Sequence, residues 1–269
     1  MFSPKWTPNL ARESRYTAAG PLASVVFGVA LLEVTSLIGS QHLFVFVSGI
    51  DPTEGQALPS LRVMALISLA IGLLALVPRA GESLSDGYKL MVLLRGDRLG
   101  KALSALEWLR AASLAGLRSV EWDADAVAAV AELDQPEAGH YLYTWHRDRG
   151  WPDIAREHLT KLLDARPALS EFWRTYYVLE AAFFEARFAN DVAAAIGYSM
   201  QVKEASAPAD LFARAQAAIA LADGDLSAAR ALAERALNVV GDAQTQIADE
   251  VRSSMQAILV DVGASPAPS

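Results

Sequence analysis

The chain has 269 residues and no cysteine. That absence excludes disulfides, thiolate zinc sites, iron–sulfur clusters and cysteine nucleophiles together. Histidine is scarce, four in all, so a metal site would have to draw on those imidazoles, on Asp and Glu, or on backbone oxygen. Basic residues are in deficit: 23 Lys and Arg stand against 31 Asp and Glu, a net charge of −8. A protein that neutralises a phosphate backbone needs the opposite balance, which argues against nucleic acid as a partner. Charge of either sign is thin, at 20% of residues against 53% hydrophobic. The chain is too apolar to be disordered and more apolar than an ordinary soluble domain. Its length allows one large unit or two small ones.

The apolar residues are concentrated near the front. From Ala18 to Ile38 the only ionisable side chain is Glu33, and from Val63 to Val77 there is none. A helix crosses the hydrocarbon core with about 20 apolar residues. The first stretch fits, and the second, Leu61 to Val77, reaches the short limit if Arg62 snorkels at the rim. A pair of buried core helices is the alternative, but Val63–Val77 has no polar face. Lys5, Arg12 and Arg15 precede the first span, and Arg79, Lys89, Arg95 and Arg98 follow the second. Ser40 to Ser60 holds Asp51 and Glu54 but no Lys or Arg. The positive-inside bias therefore predicts an integral inner-membrane hairpin with both termini cytoplasmic. Its outer loop would carry His42 and an apolar run, Leu43 to Val47, dipping into the interface or packing on the hairpin. The long polar N-terminus, with Pro4 and Pro8, does not read as a cleavable signal. A carboxylate within a span is expensive, which makes Glu33 a functional candidate, although it lies toward the outer end where water is close.

Two motifs bracket this hairpin. Ala19-Gly20-Pro21-Leu22-Ala23-Ser24 opens the first span. Pro78, followed by Ser85-Asp86-Gly87 and an apolar-rich run to Leu94-Arg95-Gly96, closes the second. Together they resemble the C-terminal half of the core of the site-2 protease family, intramembrane zinc metallopeptidases. The resemblance covers residues 15–98 and implies that Asp86 is a zinc ligand, with Gly20, Pro21, Leu22 and Ala23 shaping a helix beside the active site and Pro78, Ser85 and Gly87 framing the ligand turn. Ser24 and Ala75 stand where the family has Asn. The family's His-Glu-x-x-His is absent from this sequence. A catalytic zinc needs three protein ligands, an open water position and a base, which Asp86 alone does not supply. Zinc is therefore expected only if upstream sequence or a partner chain supplies the imidazoles. Taken without the family, Ser-Asp-Gly reads as a helix cap and turn at the membrane exit.

From Asp97 onward Ala, Leu, Glu and Arg dominate, and these are helix formers. Helical spacing recurs in Ala155, Leu159, Leu162 and Leu163, and again in Leu226, Ala229, Ala233 and Leu237. Gly150-x4-Ala155, Ala189-x3-Ala193 and Gly224-x4-Ala229 mark three repeats, each following one helix and opening another. Their spacing resembles tetratricopeptide units of about 34 residues. Leu99–Leu133 reads as a further helical pair out of register. Tyr141, Tyr143, Trp145, Trp173, Tyr176 and Tyr177 are the candidate partner groove for a protein or peptide, with core packing between helices as the alternative. His140 and His146, six residues apart, lie on different helix faces and are not read as a metal pair.

The expected fold class is all-α: a membrane-embedded half core over 1–98, with spans about 18–38 and 61–77, a cytosolic tetratricopeptide-like repeat domain over 99–262, and a disordered tail over 263–269. Two functions follow. One is a zinc-metallopeptidase-like membrane protein, a hydrolase incomplete as it stands. The other is a non-catalytic, membrane-anchored repeat scaffold for protein–protein interaction. The compact motifs and charge layout suggest a bacterial plasma membrane.

Overall fold

The computed structural model describes residues 5–45, 57–79, 85–243 and 245–264. Among these the chain is all-α, with twelve α-helices and no strand. It divides into two compact units, one formed by Thr7–Ala105 and one by Leu106–Ser269 together with the residues before Thr7.

The N-terminal unit holds α1 (Leu10–Val45), α2 (Ala57–Leu76), α3 (Asp86–Arg95) and the start of α4 (Arg98–Leu114). Asn9 caps α1, its Oδ1 accepting the Arg12 N–H at 3.0 Å. The helix thus begins ten residues before Gly20, which with Pro21 was expected to open it. Both residues lie inside the helix, where a proline is tolerated when neighbouring helices surround it. At the far end α1 runs on to Val45, so the loop expected from Ser40, with His42, begins later; residues 46–56 lie outside the described residues.

α1 and α2 pack antiparallel. Among the side chains described, the buried residues of α1 are Ser14, Pro21, Gly28 and Thr35, each seven residues from the last, and those of α2 are Ala65 and Gly72. A seven-residue repeat keeps one face against a partner along a left-handed pair. The residues on it are small, so the backbones come close. A Cβ on Gly28 would sit 2.8 Å from the Ala65 carbonyl, and one on Gly72 would sit 2.8 Å from the Pro21 carbonyl. Such packing holds apolar helices together where the surroundings are as apolar as the side chains. One helical stretch, Leu10–Leu37, is long and apolar enough to cross a membrane, and only 11% of its most apolar window is buried. The apolar stretch of α2, Ser60–Leu76, is shorter.

The C-terminal unit is built from helix pairs. After the end of α4 come a 3-10 turn at Ser119–Glu121 and the short α5 (Ala124–Val130). Three pairs follow: α6 (Pro136–Asp148) with α7 (Pro152–Asp164), α8 (Glu171–Phe184) with α9 (Val192–Ser199), and α10 (Ala209–Ala222) with α11 (Leu226–Val240). The last helix is α12 (Gln246–Ala264), which includes Gly263; residues 265–269 lie outside the described residues. The second helix of each pair packs on the first helix of the next, α7 on α8, α9 on α10 and α11 on α12. The first helices also pack in sequence, α8 on α10 and α10 on α12. The region from Leu99 to Leu133, expected as a helical pair, is one long helix, a 3-10 turn and one short helix.

Each pair turns on one left-handed residue: Gly150 (φ 76°), Asn190 (φ 54°) and Gly224 (φ 85°). Five residues on, each places an alanine with no exposed surface: Ala155, Ala195 and Ala229. The middle repeat is therefore Asn190-x4-Ala195, not Ala189-x3-Ala193. Asparagine, like glycine, visits the left-handed region at low cost, so no glycine marks this turn. Its helix is displaced because α8 continues through a π-helical turn, Glu185–Ala189, before the chain reverses. Asp191 and Asp225 then cap α9 and α11, accepting the N–H groups of Ala194 and Ala228 at 2.9 Å.

Candidate functional site

The Ser85-Asp86-Gly87 turn is built to join α2 to α3. Ser85 is the N-cap of α3 and accepts the Tyr88 N–H at 3.2 Å. Its hydroxyl also donates to the Val77 carbonyl and accepts the Arg79 N–H, both at 2.9 Å. One hydroxyl thus serves the end of one helix and the start of the next. Gly87 is buried, and a Cβ there would overlap the Leu76 backbone. Asp86 occupies the first turn of α3, where a carboxylate suits the helix dipole. Pro78 is exposed just after α2. In α1, Pro21 lies in the seam against α2, whereas Leu22 faces outward at 50% exposure and Ala23 is exposed. Nothing within 4 Å surrounds the position of a Cβ on Gly20. Asp86 is not joined by further donors: among the described residues no three His, Asp or Glu come together as a metal site. A zinc ion needs three or four ligands, and of these the described residues place only Asp86 at this turn.

The expected aromatic groove is mostly core. Tyr143, Tyr176, Tyr177, Tyr141 and Trp145 are all buried, and of the six only Trp173 opens to solvent, at 37%. The rings of Tyr141, Trp173, Tyr176 and Tyr177 surround the His140 imidazole edge-on, with centroids 5.7–6.0 Å away. Burial in this apolar cage lowers the His140 pKa, and its Nδ1 has no partner among the described residues. On the next turn of α6, the His146 ring stacks on His158 of α7 at 5.1 Å. Desolvation, then the neighbouring His146 and Lys161, bring His158 down to about 4.

The larger feature is a charge network in the core. Glu180, on α8, is 1% exposed and accepts Tyr143 Oη at 2.6 Å, Arg147 Nη1 at 2.7 Å and Arg214 Nη1 at 2.5 Å. Burial works against its ionisation. The two guanidiniums, Arg214 before Arg147, and the hydrogen bonds from Arg214 and Tyr143 outweigh that and hold its carboxyl at about 2. Arg214 also lies over the Phe183 ring, 3.8 Å from its centroid. Arg147 reaches outward as well, its Nε donating to Asp148 Oδ1 at 2.7 Å and its Nη1 lying 4.0 Å from Glu250 on α12.

Arg147, the outer member of this network, lines a cleft of about 600 Å³ together with Asp148 and Glu250. α6 contributes Arg147 and Asp148, the end of α8 contributes Phe183, the π-helical turn after it contributes Phe188, and α12 contributes Glu250 and Ser254. The 3-10 turn at Ser119–Glu121 supplies Ser119, whose hydroxyl donates to Asp148. Ser113 also lines the cleft, its Oγ buried and without a partner among the described residues. Apolar rings, hydroxyls and both signs of charge therefore converge in one concavity, the composition of a site that holds a ligand by shape and by hydrogen bonds. The sequence did hold one signal for it: Glu180 is a lone carboxylate in the apolar run Val178–Phe184. Arg147 and Arg214 carried none, because ordinary surface arginines look the same in sequence.

Set against known proteins, the chain finds no counterpart: no family model, no curated protein and no solved structure matches it.

Proposed function

We propose that the protein is a membrane-anchored adaptor that holds a segment of a partner protein in the cleft of its C-terminal unit. The supporting observation is that one chain carries both an apolar helix with most of its surface uncovered and a separate stack of helix pairs with a cleft of about 600 Å³. An apolar helix of that length left exposed in water would drive aggregation, and a bilayer satisfies it. Stacked helix pairs offer extended concave surfaces for partners, which favours tetratricopeptide-like kinship. The cleft presents Arg147 beside Asp148 and Glu250, with Ser113 and Ser254. That mixture suits a peptide, whose backbone offers donors and acceptors in alternation, better than a polyanion. In this reading the basic residues flanking the apolar helices favour a cytoplasmic C-terminal unit, and the inner membrane of a bacterium is the membrane we propose.

Kinship with the site-2 protease core is the ancestry we propose for Gly20-Pro21-Leu22-Ala23 and Ser85-Asp86-Gly87. In this chain the packing at Ser85 and Gly87 accounts for the turn without a metal. Hydrolysis would need two imidazoles and a base from upstream sequence or from a partner chain.

Flotation tests the anchor. The full chain should rise with vesicles of phosphatidylethanolamine and phosphatidylglycerol in a density gradient and resist carbonate extraction. Recovery in the supernatant without detergent would refute it. Photo-crosslinking from Phe188 tests the cleft. Adducts should form there and not from Val239, which is exposed on α11. Zinc analysis of the purified chain tests the peptidase alternative, where one tightly held ion per chain would favour it over the adaptor.

A further inference from the structure

The inner face of α1 is occupied by α2; its outer face has no partner among the described residues. Leu22, Val26 and Val29 lie on that outer face, 47–66% exposed. Their spacing of four and three residues is that of one straight row on a helix. Glu33 falls in the same row, four residues beyond Val29, and is exposed. Its carboxylate makes no hydrogen bond or ion pair with any described residue. Arg62 of α2 does not answer it: the guanidinium donates to the Thr35 carbonyl at 3.4 Å. Two residues along a helix turn the side chain by about 200°, so Thr35 faces α2 and Glu33 faces away.

We infer that this outer row seats a transmembrane helix of another protein, one that carries a single Lys or Arg at the depth of Glu33. The inference rests on the membrane-anchor reading above. Apolar side chains at helical spacing supply the shape of a packing seam, and the lone carboxylate supplies the sign of the partner. A carboxylate within a span is costly, toward its outer end less so, and a counter-charge on a neighbouring helix offsets that cost. A second copy of this chain is a poor occupant, since a two-fold pairing along this row sets Glu33 against Glu33. Arg15, seven residues before Leu22, is the other charge on the row, so the carboxylate at one end and the guanidinium at the other select which helix binds and in what register.

The absence of native cysteine makes a direct test simple. The full chain carrying Tyr16→Cys, labelled with a donor dye, is reconstituted in phosphatidylethanolamine–phosphatidylglycerol vesicles. The probe is an acceptor-labelled polyleucine transmembrane peptide with one Arg at the matching depth. All-leucine and Glu-bearing peptides are the controls. Energy transfer should show the Arg peptide binding roughly tenfold tighter than the all-leucine one. Glu33→Gln should erase that preference and Glu33→Asp should keep it, with helix content by circular dichroism unchanged in both. Equal binding of all three peptides overturns the inference, as does a preference that survives Glu33→Gln. Self-association of the chain that the Arg peptide fails to displace also overturns it, in favour of a second copy. If the chain does not float with the vesicles at all, the anchor reading itself fails and this inference falls with it.

Discussion

Glu180→Gln is the sharpest perturbation available, because one carboxylate serves two arginines and a tyrosine. The amide keeps the shape but removes the charge, leaving Arg147 and Arg214 buried at 6% and 2% exposure with no carboxylate between them. Removing one partner of a buried ion pair costs about 3–5 kcal/mol, since the surviving charge stays desolvated. A domain of this size has about 5–15 kcal/mol of stability in total. At about 2–4 °C per kcal/mol, the midpoint should fall by roughly 6–20 °C. Thermal denaturation of the detergent-solubilised full chain, followed by circular dichroism and tryptophan fluorescence, reads this directly. The triple variant Glu180→Leu, Arg147→Met, Arg214→Met should regain most of the loss, because replacing the whole network by apolar groups removes the unpaired charges. The pH dependence adds a second readout. The folded carboxyl titrates at about 2, below its ordinary value of about 4.3. Its stabilisation is therefore complete above about pH 4.3 and is lost as pH falls toward 2, and Glu180→Gln should abolish that slope. A midpoint shift under about 2 °C for Glu180→Gln would refute the view that this network organises the core.

Three further outcomes can be checked. Gly87→Ala should destabilise the N-terminal unit by about 1–3 kcal/mol, because the added methyl overlaps the Leu76 backbone; guanidinium unfolding in detergent would detect it, and a neutral result would show the turn can relax. Asn190→Val should cost about 1–2 kcal/mol and Asn190→Gly almost nothing, since only the branched residue resists φ 54°; equal losses in chemical denaturation would place the strain elsewhere. His158 titrates at about 4 when folded, below about 6.5 when unfolded, so the unfolded chain takes the proton first. Stability should fall as pH drops from about 6.5 to 4 and level off below, and His158→Gln should remove that part of the profile.

The fold class was legible because it is a local property. Ala- and Leu-rich spacing at Leu159, Leu162 and Leu163 gives a helix whatever surrounds it, and all three are buried in α7. The turns at Gly150 and Gly224 were legible because glycine marks a left-handed residue, and Asn190 was missed because asparagine is common in other roles. The aromatic residues were legible as a cluster but not as a surface. Large rings at helical spacing look alike in sequence whether they meet solvent or one another, and here Tyr143, Tyr176 and Tyr177 meet one another and His140.

The amino-acid order alone determined that the chain is helical, that its front is apolar and nearly uncharged, and that basic residues flank that front. Those are matters of composition and period, written within a few residues of one another. Only the tertiary structure decided that Glu180 would be ionised in the core, that Arg147 and Arg214 would share it across 33 and 34 residues of sequence, and that a cleft would open beside them. A buried charge is stable only once its partners have been brought within hydrogen-bonding distance, and that condition is set by how helices stack, not by any residue's neighbours in the chain.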